Sequence, residues 1–369
     1  MNSIQIFLIS FFTVSLFALS LLIGKIYSVV LRLSPGAFRG VMIFCLVGPA
    51  IFVLSMALSR LSDGLFVRVI YYLSSVLGGV MFYLLILGFL LSVLLLLGKV
   101  FGFALPIYIA LGFVFVALAF SAIGLIQAKF IKVTKYEILL PNAPKEWDGK
   151  RAVLVSDTHF GLVNHKKFSD KVVKKILDVN PSLVFHAGDF YDGPKNDTTL
   201  ITESWKGLTQ KIPVFYAPGN HEEYGDYAGF LTSIKNAGVN VIVDGVVDYQ
   251  GVQIAGISYR NKKQASVADG VLKSLKVDST KPLILINHPP TFQNSALEIG
   301  ADLMLSGHTH KGQFWPFYYV VKSVYGKYIY GANVDGSLTT ITTSGIGTAG
   351  VPMRLFNTPE LVEITFRVK

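Results

Sequence analysis

Four long apolar stretches in the first third of the chain constrain its fold more than any other feature. They lie at residues 4–23, 40–59, 69–97 and 101–127. A helix of about 20 mainly apolar residues is long enough to cross roughly 30 Å of hydrocarbon. None of the four contains Asp, Glu, Lys or His, and this argues against an intramembrane transport path. The sequence therefore predicts a transmembrane anchor of about four spans within residues 1–128, with a tight turn at Gly98 and Lys99.

The distribution of charge divides the chain at the same place. Residues 1–128 contain six basic residues and one acidic residue, whereas residues 129–369 contain 27 basic and 22 acidic residues. The net charge of +10 is thus +5 in each part, and all seven histidines lie in the second part. The single cysteine, Cys45, excludes a disulfide framework and a thiolate zinc site. We expect a lipid bilayer as a partner and no nucleic acid, because no single basic patch is needed to explain the charge.

After the anchor, the pattern changes to alternating strands and helices. Residues 129–150 combine charge with prolines and are predicted as a linker before a domain at 151–369. Short apolar runs bounded by turn residues predict buried strands; they lie at 152–155, 183–187, 214–217, 239–243, 252–257, 283–286 and 303–305. Helical periodicity lies between several of them, as at 167–179 and 227–236, and further strand signals lie at 327–330, 337–342 and 361–368. This alternation predicts an α/β layered domain.

Polar side chains follow five of the predicted strands. Because ligands of α/β proteins bind outside the carboxyl ends of the strands, we expect these side chains to meet. The candidate metal ligands are Asp157, His159, Asp189, Asn220, His288, His308 and His310. Oxygen and imidazole ligands without thiolate suit Mn, Fe, Zn, Ni or Co. Seven ligands suit two divalent cations that share a carboxylate, and such a pair can clamp a phosphoryl group and activate a bridging water as hydroxide.

These residues occur in five blocks, in one order, over about residues 150–315. The blocks are Asp157-x-His159, Gly188-Asp189-x-x-Asp192, Gly219-Asn220-His221-Glu222, His288 and Gly307-His308-x-His310. The series resembles the calcineurin-like metallophosphoesterases. The tail, with Ser344-Gly345-Ile346-Gly347-Thr348, residues 352–356 and Pro359-Glu360, is similar to the membrane-associated bacterial branch of that family.

The resemblance implies a role for each residue. Asp157, His159 and His310 would bind the first metal, Asn220, His288 and His308 the second, and Asp189 would bridge the two. His221 would face the scissile phosphate as a general acid or a transition-state donor, and Asp192 would orient it. The family fold implied is a calcineurin-like sheet sandwich flanked by helices.

Two positions bear on the substrate. Gly193 and Pro194 follow Asp192, where the protein Ser/Thr phosphatases of the family carry an Arg, so a protein phosphatase is disfavoured. Lys311 stands where relatives commonly have Gly, and it either reaches a second phosphate of the substrate or points into solvent. Some relatives cleave the pyrophosphate of a UDP-linked acylated sugar, so the expected substrate is a small phosphoester or a lipid-linked pyrophosphate.

Several other residues have structural interpretations. His165 and His186 match no block and are read as a surface and a core residue, and Glu222 and Glu223 as stabilising a helix N-terminus. The aromatic run at 314–319 fits a substrate wall, a lipid-facing lip or packing under the metal loops.

The sequence as a whole predicts a multi-pass protein of the cell membrane that hydrolyses a phosphodiester, pyrophosphate or phosphomonoester bond by metal-bound hydroxide. The alternatives are a non-catalytic membrane sensor or platform that binds metal or nucleotide, and a nuclease. Basic residues near the spans number five for one orientation and four for the other, so the side of the membrane is open. The substrate, the identity of the metals and the oligomeric state are open as well.

Overall fold

Four long helices form the N-terminal unit of the computed structural model, which describes residues 3–193, 197–259 and 265–368. They are α1 (Ser3–Val30), α2 (Pro35–Leu58), α3 (Leu65–Phe101) and α4 (Ile107–Gln127). Each is long and apolar enough to cross a membrane. The predicted set of four apolar helices is therefore confirmed.

The connection between α3 and α4 differs from the prediction. Gly98 and Lys99 lie inside α3, so the tight turn predicted there is wrong. The helix ends instead at Gly102, which adopts the left-handed conformation with φ 76° and donates its N–H to the carbonyl of Gly98. A glycine at this position is a common helix terminator, because it lacks the Cβ that makes left-handed backbone costly.

Two six-stranded sheets form the framework of the second unit. The strands are β1 (Lys132–Leu139), β2 (Arg151–Val155), β3 (Leu183–His186), β4 (Val214–Tyr216), β5 (Asn240–Val241), β6 (Gly245–Tyr249), β7 (Val252–Ile257), β8 (Leu283–Asn287), β9 (Leu303–Ser306), β10 (Gly331–Asp335), β11 (Leu338–Thr342) and β12 (Glu360–Arg367). The first sheet has the order β1-β12-β2-β3-β4-β5 and the second β10-β11-β9-β8-β7-β6.

The main hydrophobic core lies between the two sheets. It joins Leu154 and Phe185 of the first sheet to Ile284 and Leu305 of the second. Six α-helices complete the described part of the unit: α5 (Lys166–Val179), α6 (Thr198–Thr209), α7 (Tyr227–Asn236), α8 (Ala265–Ser274), α9 (Gln293–Glu298) and α10 (Phe317–Tyr325). Helices α5 to α7 pack on the outer face of the first sheet, and α8 and α9 pack on the second. The predicted α/β sheet sandwich flanked by helices is confirmed.

Residues 129–150 do not form the predicted linker. Most of them belong to the sandwich, since β1 pairs in parallel with β12 and its Ile138 joins the core. Trp147 is fully buried, and its indole N–H donates to the carbonyl of Gln250 at 3.1 Å. The strand predicted at 327–330 is also wrong, because Gly326–Ile329 is a 3-10 helix and the strand begins at Gly331.

The topology brings five loops to one edge of the sandwich. Strands β2, β3 and β4 are parallel neighbours in the first sheet, and β8 and β9 are parallel neighbours in the second. The carboxyl ends of parallel neighbours lie at the same edge of a sheet. The loops after these five strands are the ones that carry the candidate metal ligands.

Candidate metal centre

The first ligand group consists of Asp157, His159 and His310, which are all buried. The Nε2 atoms of His159 and His310 are 3.0 Å apart, and Nε2 of His310 is 3.3 Å from Oδ1 of Asp157. One ligand atom from each residue lies within 4.8 Å of the other two. The structure thus brings together the three residues proposed for one metal.

The second ligand group consists of Asp189, His288 and His308. Nε2 of His288 lies 3.0 Å from Oδ2 of Asp189 and 3.3 Å from Nδ1 of His308. The same Oδ2 lies 3.8 Å from Nε2 of His159, in the first group. Asp189 is therefore between the two groups, where a bridging carboxylate would have to be.

The remaining candidate ligand is Asn220, which is also buried. Its Nδ2 donates to the hydroxyl of Tyr224 at 3.4 Å, and its Oδ1 has no hydrogen-bond partner among the described residues. A buried acceptor without a partner is costly unless something else occupies it. This acceptor and the imidazole nitrogens of the two ligand groups are of the types that suit divalent cations with mixed oxygen and nitrogen ligands.

The surroundings favour neutral imidazoles in the first group. Burial lowers the pKa of His159 to about 4 and lowers that of His310 well below its usual range. Burial also raises the pKa of Asp157 to about 6, although the neighbouring His288 opposes the shift. A histidine must be neutral to bind a metal, so this group is ready for one near neutral pH.

His221 and Asp192 form a pair beside the ligands. Nδ1 of His221 is 2.9 Å from Oδ1 of Asp192, and the ring of His221 meets that of His159 edge-on at 4.5 Å. Burial would lower the pKa of His221, but the hydrogen bond to Asp192 and the charge of Asp189 outweigh it and raise this pKa to about 9. At neutral pH His221 is therefore a cation with a proton to give.

Five of the seven candidate ligands have left-handed backbone, with φ between 45° and 69°. They are Asp157, His159, Asp189, His308 and His310. This conformation costs roughly 1–2 kcal/mol for a residue with a Cβ. Strained residues cluster at functional sites, where the rest of the fold holds them in place. The loop geometry thus supports the interpretation of this edge as a site.

Glu222 has a role beyond the one predicted. It is fully buried, and its carboxylate accepts four backbone N–H groups at 2.7–3.2 Å. The donors are Asp189, Phe190, Tyr191 and Gly219. Glu222 therefore fastens the loop after β3 to the loop after β4, and it also lies in the first turn of the short 3-10 helix His221–Tyr224.

Arg354 is a second residue that sequence reasoning missed. Its side chain is fully buried, and its guanidinium donates to the carbonyls of Ser344 and Gly347 and lies 3.2 Å from Nδ1 of His310. Burial lowers its pKa to about 10, so the charge persists at neutral pH. A lone arginine next to Met and Leu in the sequence carries no signal of this role.

Other predictions have mixed outcomes. His186 is a buried core residue, as predicted, and His165 is half-buried just before α5. The ammonium of Lys311 lies 4.1 Å from the centre of the Tyr330 ring, so it is in contact with an aromatic face. Pro194, which with Gly193 argues against a protein phosphatase, lies outside the described residues.

Comparison with known families identifies the second unit. Residues 150–312 match the family model described as Calcineurin-like phosphoesterase. These residues form a calcineurin-like metallophosphoesterase domain. The resemblance inferred from the five sequence blocks is thereby confirmed, and the ligand groups and the His221–Asp192 pair all lie within this domain.

Individual relatives of the domain come from bacteria and animals. The chain is 30% identical over 234 residues to an uncharacterized metallophosphoesterase of Helicobacter pylori, and the match covers 62% of each protein. It is 26% identical to a Danio rerio transmembrane protein with metallophosphoesterase domain, over 64% of this chain and 57% of the relative. The chain thus spans less than two thirds of the length of these relatives.

One solved structure that is similar to this chain is the 5'-nucleotidase precursor of Thermus thermophilus. It has 14% sequence identity to this chain and a TM-score of 0.31. The match covers 58% of this chain and 54% of that one. Because the TM-score is low, the family assignment rests on the sequence comparisons.

Proposed function

We propose that this chain is a multi-pass, membrane-bound phosphoesterase whose metal centre holds two divalent cations. The observation that carries the proposal is the position of Asp189 between two ligand groups, with the His221–Asp192 pair beside them. The bond hydrolysed is a phosphodiester, a pyrophosphate or a phosphomonoester, and a lipid-linked pyrophosphate is the most specific form of the proposal. Four apolar helices support the membrane attachment.

When bound, the two cations would supply positive charge for the phosphoryl oxygens and an activated water as nucleophile. The chain's own residues prepare this site. The backbone N–H of His221 donates to Oδ1 of Asp189 at 2.9 Å. The other oxygen, Oδ2, is then left near the histidines of both ligand groups. Nδ1 of His288 lies 2.6 Å from the carbonyl of Ala187, and a bond from Nδ1–H frees Nε2 to act as a ligand.

His221 supplies the proton in the proposed reaction. Nδ1–H of His221 donates a hydrogen bond to Asp192, so the proton on Nε2 is the one available for the leaving-group oxygen. Because the pKa of His221 is raised to about 9, most molecules carry this proton at neutral pH. The carboxylate of Asp192 holds the ring in this orientation and stabilises its positive charge.

Hydrolysis of bis-p-nitrophenyl phosphate by the full chain in detergent, loaded with Mn²⁺, tests the proposal. We expect His221→Ala to lower turnover by about 100-fold or more, the usual contribution of a positioned acid. Asp189→Ala should also lower turnover strongly, because it removes the carboxylate proposed to hold both cations. His165→Ala is the matched control, since His165 lies outside the site, and it should keep the wild-type rate. If the wild type is no faster than the two site variants, the chain is not a phosphoesterase of this kind.

A further inference from the structure

Helix α10 has an exposed apolar stripe and follows the loop that carries His308 and His310. Phe317, Val320 and Val324 are spaced three and four residues apart, so they share one helix face. Val320 is 58% exposed and Val324 is 71% exposed, and Tyr319 beside them is 65% exposed. A helix at a water-facing surface normally turns polar or charged residues outward. This stripe is therefore suited to an apolar or interfacial environment.

The segment around α10 is rich in lysine, and one of these lysines, Lys327, is paired with Asp335. Residues 303–334 contain three lysines, Lys311, Lys322 and Lys327, and no Asp or Glu. Lys322 is exposed on the helix, and its ammonium lies 5.7 Å from the centre of the Tyr318 ring. An apolar helix face bordered by aromatic rings and lysines is typical of segments that lie in the interface of an anionic bilayer.

The residues just before α10 are linked to Gln127 through hydrogen bonds to the neighbouring residues Leu355 and Phe356. The N–H of Trp315 donates to the carbonyl of Leu355 at 3.3 Å, and the N–H of Phe356 donates to Oε1 of Gln127 at 3.0 Å. Gln127 is the last residue of α4, whose 21 residues match the thickness of the hydrocarbon layer. Phe130 and Phe356, near this point, are 64% and 65% exposed. The start of α10 is thus connected to a residue expected at the headgroup layer.

The other end of α10 reaches the metal centre. The ring of Tyr325 meets that of His308 edge-on, with centres 5.9 Å apart. At the start of the helix, the backbone of Phe317 and Tyr318 packs against Gly312, with φ 79°, where a Cβ would collide. Helix α10 is therefore packed directly on the loop that carries His308 and His310.

We propose that the stripe of Phe317, Val320 and Val324 docks into the headgroup layer of an anionic bilayer. The metal centre would then take its substrate from that bilayer, as a phosphoester carried by an amphiphile. This second half rests on the proposed phosphoesterase function, whereas the docking of α10 does not. Of the aromatic run at 314–319, the exposed Phe317 and Tyr319 are thereby assigned to a lipid contact.

Spin labels on the full chain in phosphatidylglycerol-containing nanodiscs test the docking. In a Cys45→Ala background, Val320→Cys and Val324→Cys place a label on the stripe. Val247→Cys is the matched control, because Val247 is also an exposed valine and lies on β6, at the opposite edge of the same sheet from β10. Collisions with lipid-soluble oxygen and with water-soluble chromium oxalate report the environment of each label.

We expect the labels at 320 and 324 to collide several-fold more with oxygen, relative to chromium oxalate, than the label at 247. If all three labels give the same ratio, α10 faces water and the proposal is wrong. The result does not depend on enzyme activity, and Cys variants of exposed valines leave the core intact.

Turnover in the same nanodiscs tests the substrate class. The two substrates are a long-chain alkyl p-nitrophenyl phosphodiester embedded in the bilayer and soluble bis-p-nitrophenyl phosphate. Relative to wild type, Val320→Glu with Val324→Glu should lower the ratio of embedded to soluble turnover by about tenfold or more, through repulsion from an anionic surface. Val247→Glu should leave both rates unchanged.

An unchanged ratio in the double variant contradicts delivery from the bilayer. If the wild type hydrolyses neither substrate, the proposed function fails, the substrate half of the inference fails with it, and the spin labels alone decide the docking.

Discussion

At the residue scale, the His221–Asp192 pair gives the sharpest prediction. Asp192→Asn keeps the shape and a hydrogen-bonding group but removes the negative charge that helps to raise the pKa of His221 to about 9. A protonated His221 is the active form, so activity is lost as pH rises through this pKa. Because the variant lowers the pKa, the alkaline limb of kcat/KM should move to lower pH by about 1 unit.

The pH profile of kcat/KM for the soluble substrate, measured with the full chain, checks this shift. Asp170→Asn changes a solvent-exposed carboxylate on α5 and should leave the profile in place. An alkaline limb at the same pH in Asp192→Asn and wild type would mean that Asp192 does not act on His221.

Glu222 gives the second prediction at this scale. Glu222→Gln replaces one acceptor oxygen by an amide group, so two of the four backbone N–H groups lose their acceptor. Each buried unsatisfied group costs about 1–3 kcal/mol, so we expect unfolding at a lower temperature and a loss of at least about 2 kcal/mol. Tryptophan fluorescence reports on this unit, because Trp147, Trp205 and Trp315 all lie in it.

The control for Glu222 is Glu203→Gln, which alters a 66% exposed side chain and should change stability by less than about 0.5 kcal/mol. Equal stability of Glu222→Gln and Glu203→Gln would contradict the fastening role.

The candidate metal ligands could be predicted from the sequence, whereas the buried residues that hold their loops, Glu222 and Arg354, could not. Asp157 and His308 lie two and three residues after the end of an apolar run, and a parallel strand order is enough to bring such positions together. Glu222 and Arg354 act through burial and through partners distant in the chain, which a local pattern does not encode. The sequence therefore predicted the candidate ligands but not what holds them.

At the element scale, β1 was the main error in the predicted fold. Its sequence mixes charged and apolar residues without regular alternation, and in this sheet it is an edge strand with mostly exposed or half-buried side chains. Its parallel partner, β12, lies more than 200 residues away, so no local signal reveals the pairing. Buried strands such as β7 and β8 were found because their apolar runs are continuous.

Trp147 tests whether residues 129–150 belong to the domain. Trp147→Ala empties a fully buried site that contacts the rings of Tyr249 and Phe366. Loss of a buried tryptophan costs about 3–5 kcal/mol, so the variant should unfold at a clearly lower temperature by circular dichroism. Lys145→Ala, at an exposed position two residues away, should have little effect. If the two variants are equally stable, these residues are the linker first predicted.

At the scale of the whole molecule, both sheets contribute residues to the candidate metal centre. Asp157, Asp189 and Asn220 follow strands of the first sheet, and His288 and His308 follow strands of the second. Neither sheet alone supplies both ligand groups, so metal binding should also stabilise the sandwich against separation of its layers.

The central claim is that two divalent cations share Asp189 in one chain. Metal content per chain, measured by mass spectrometry after Mn²⁺ loading and gel filtration of the full-length protein, tests it most directly. We predict about two ions per wild-type chain, as in two-metal phosphoesterase sites, and about one or fewer in Asp189→Asn. One ion or none in the wild type, or two ions retained in Asp189→Asn, would contradict the account.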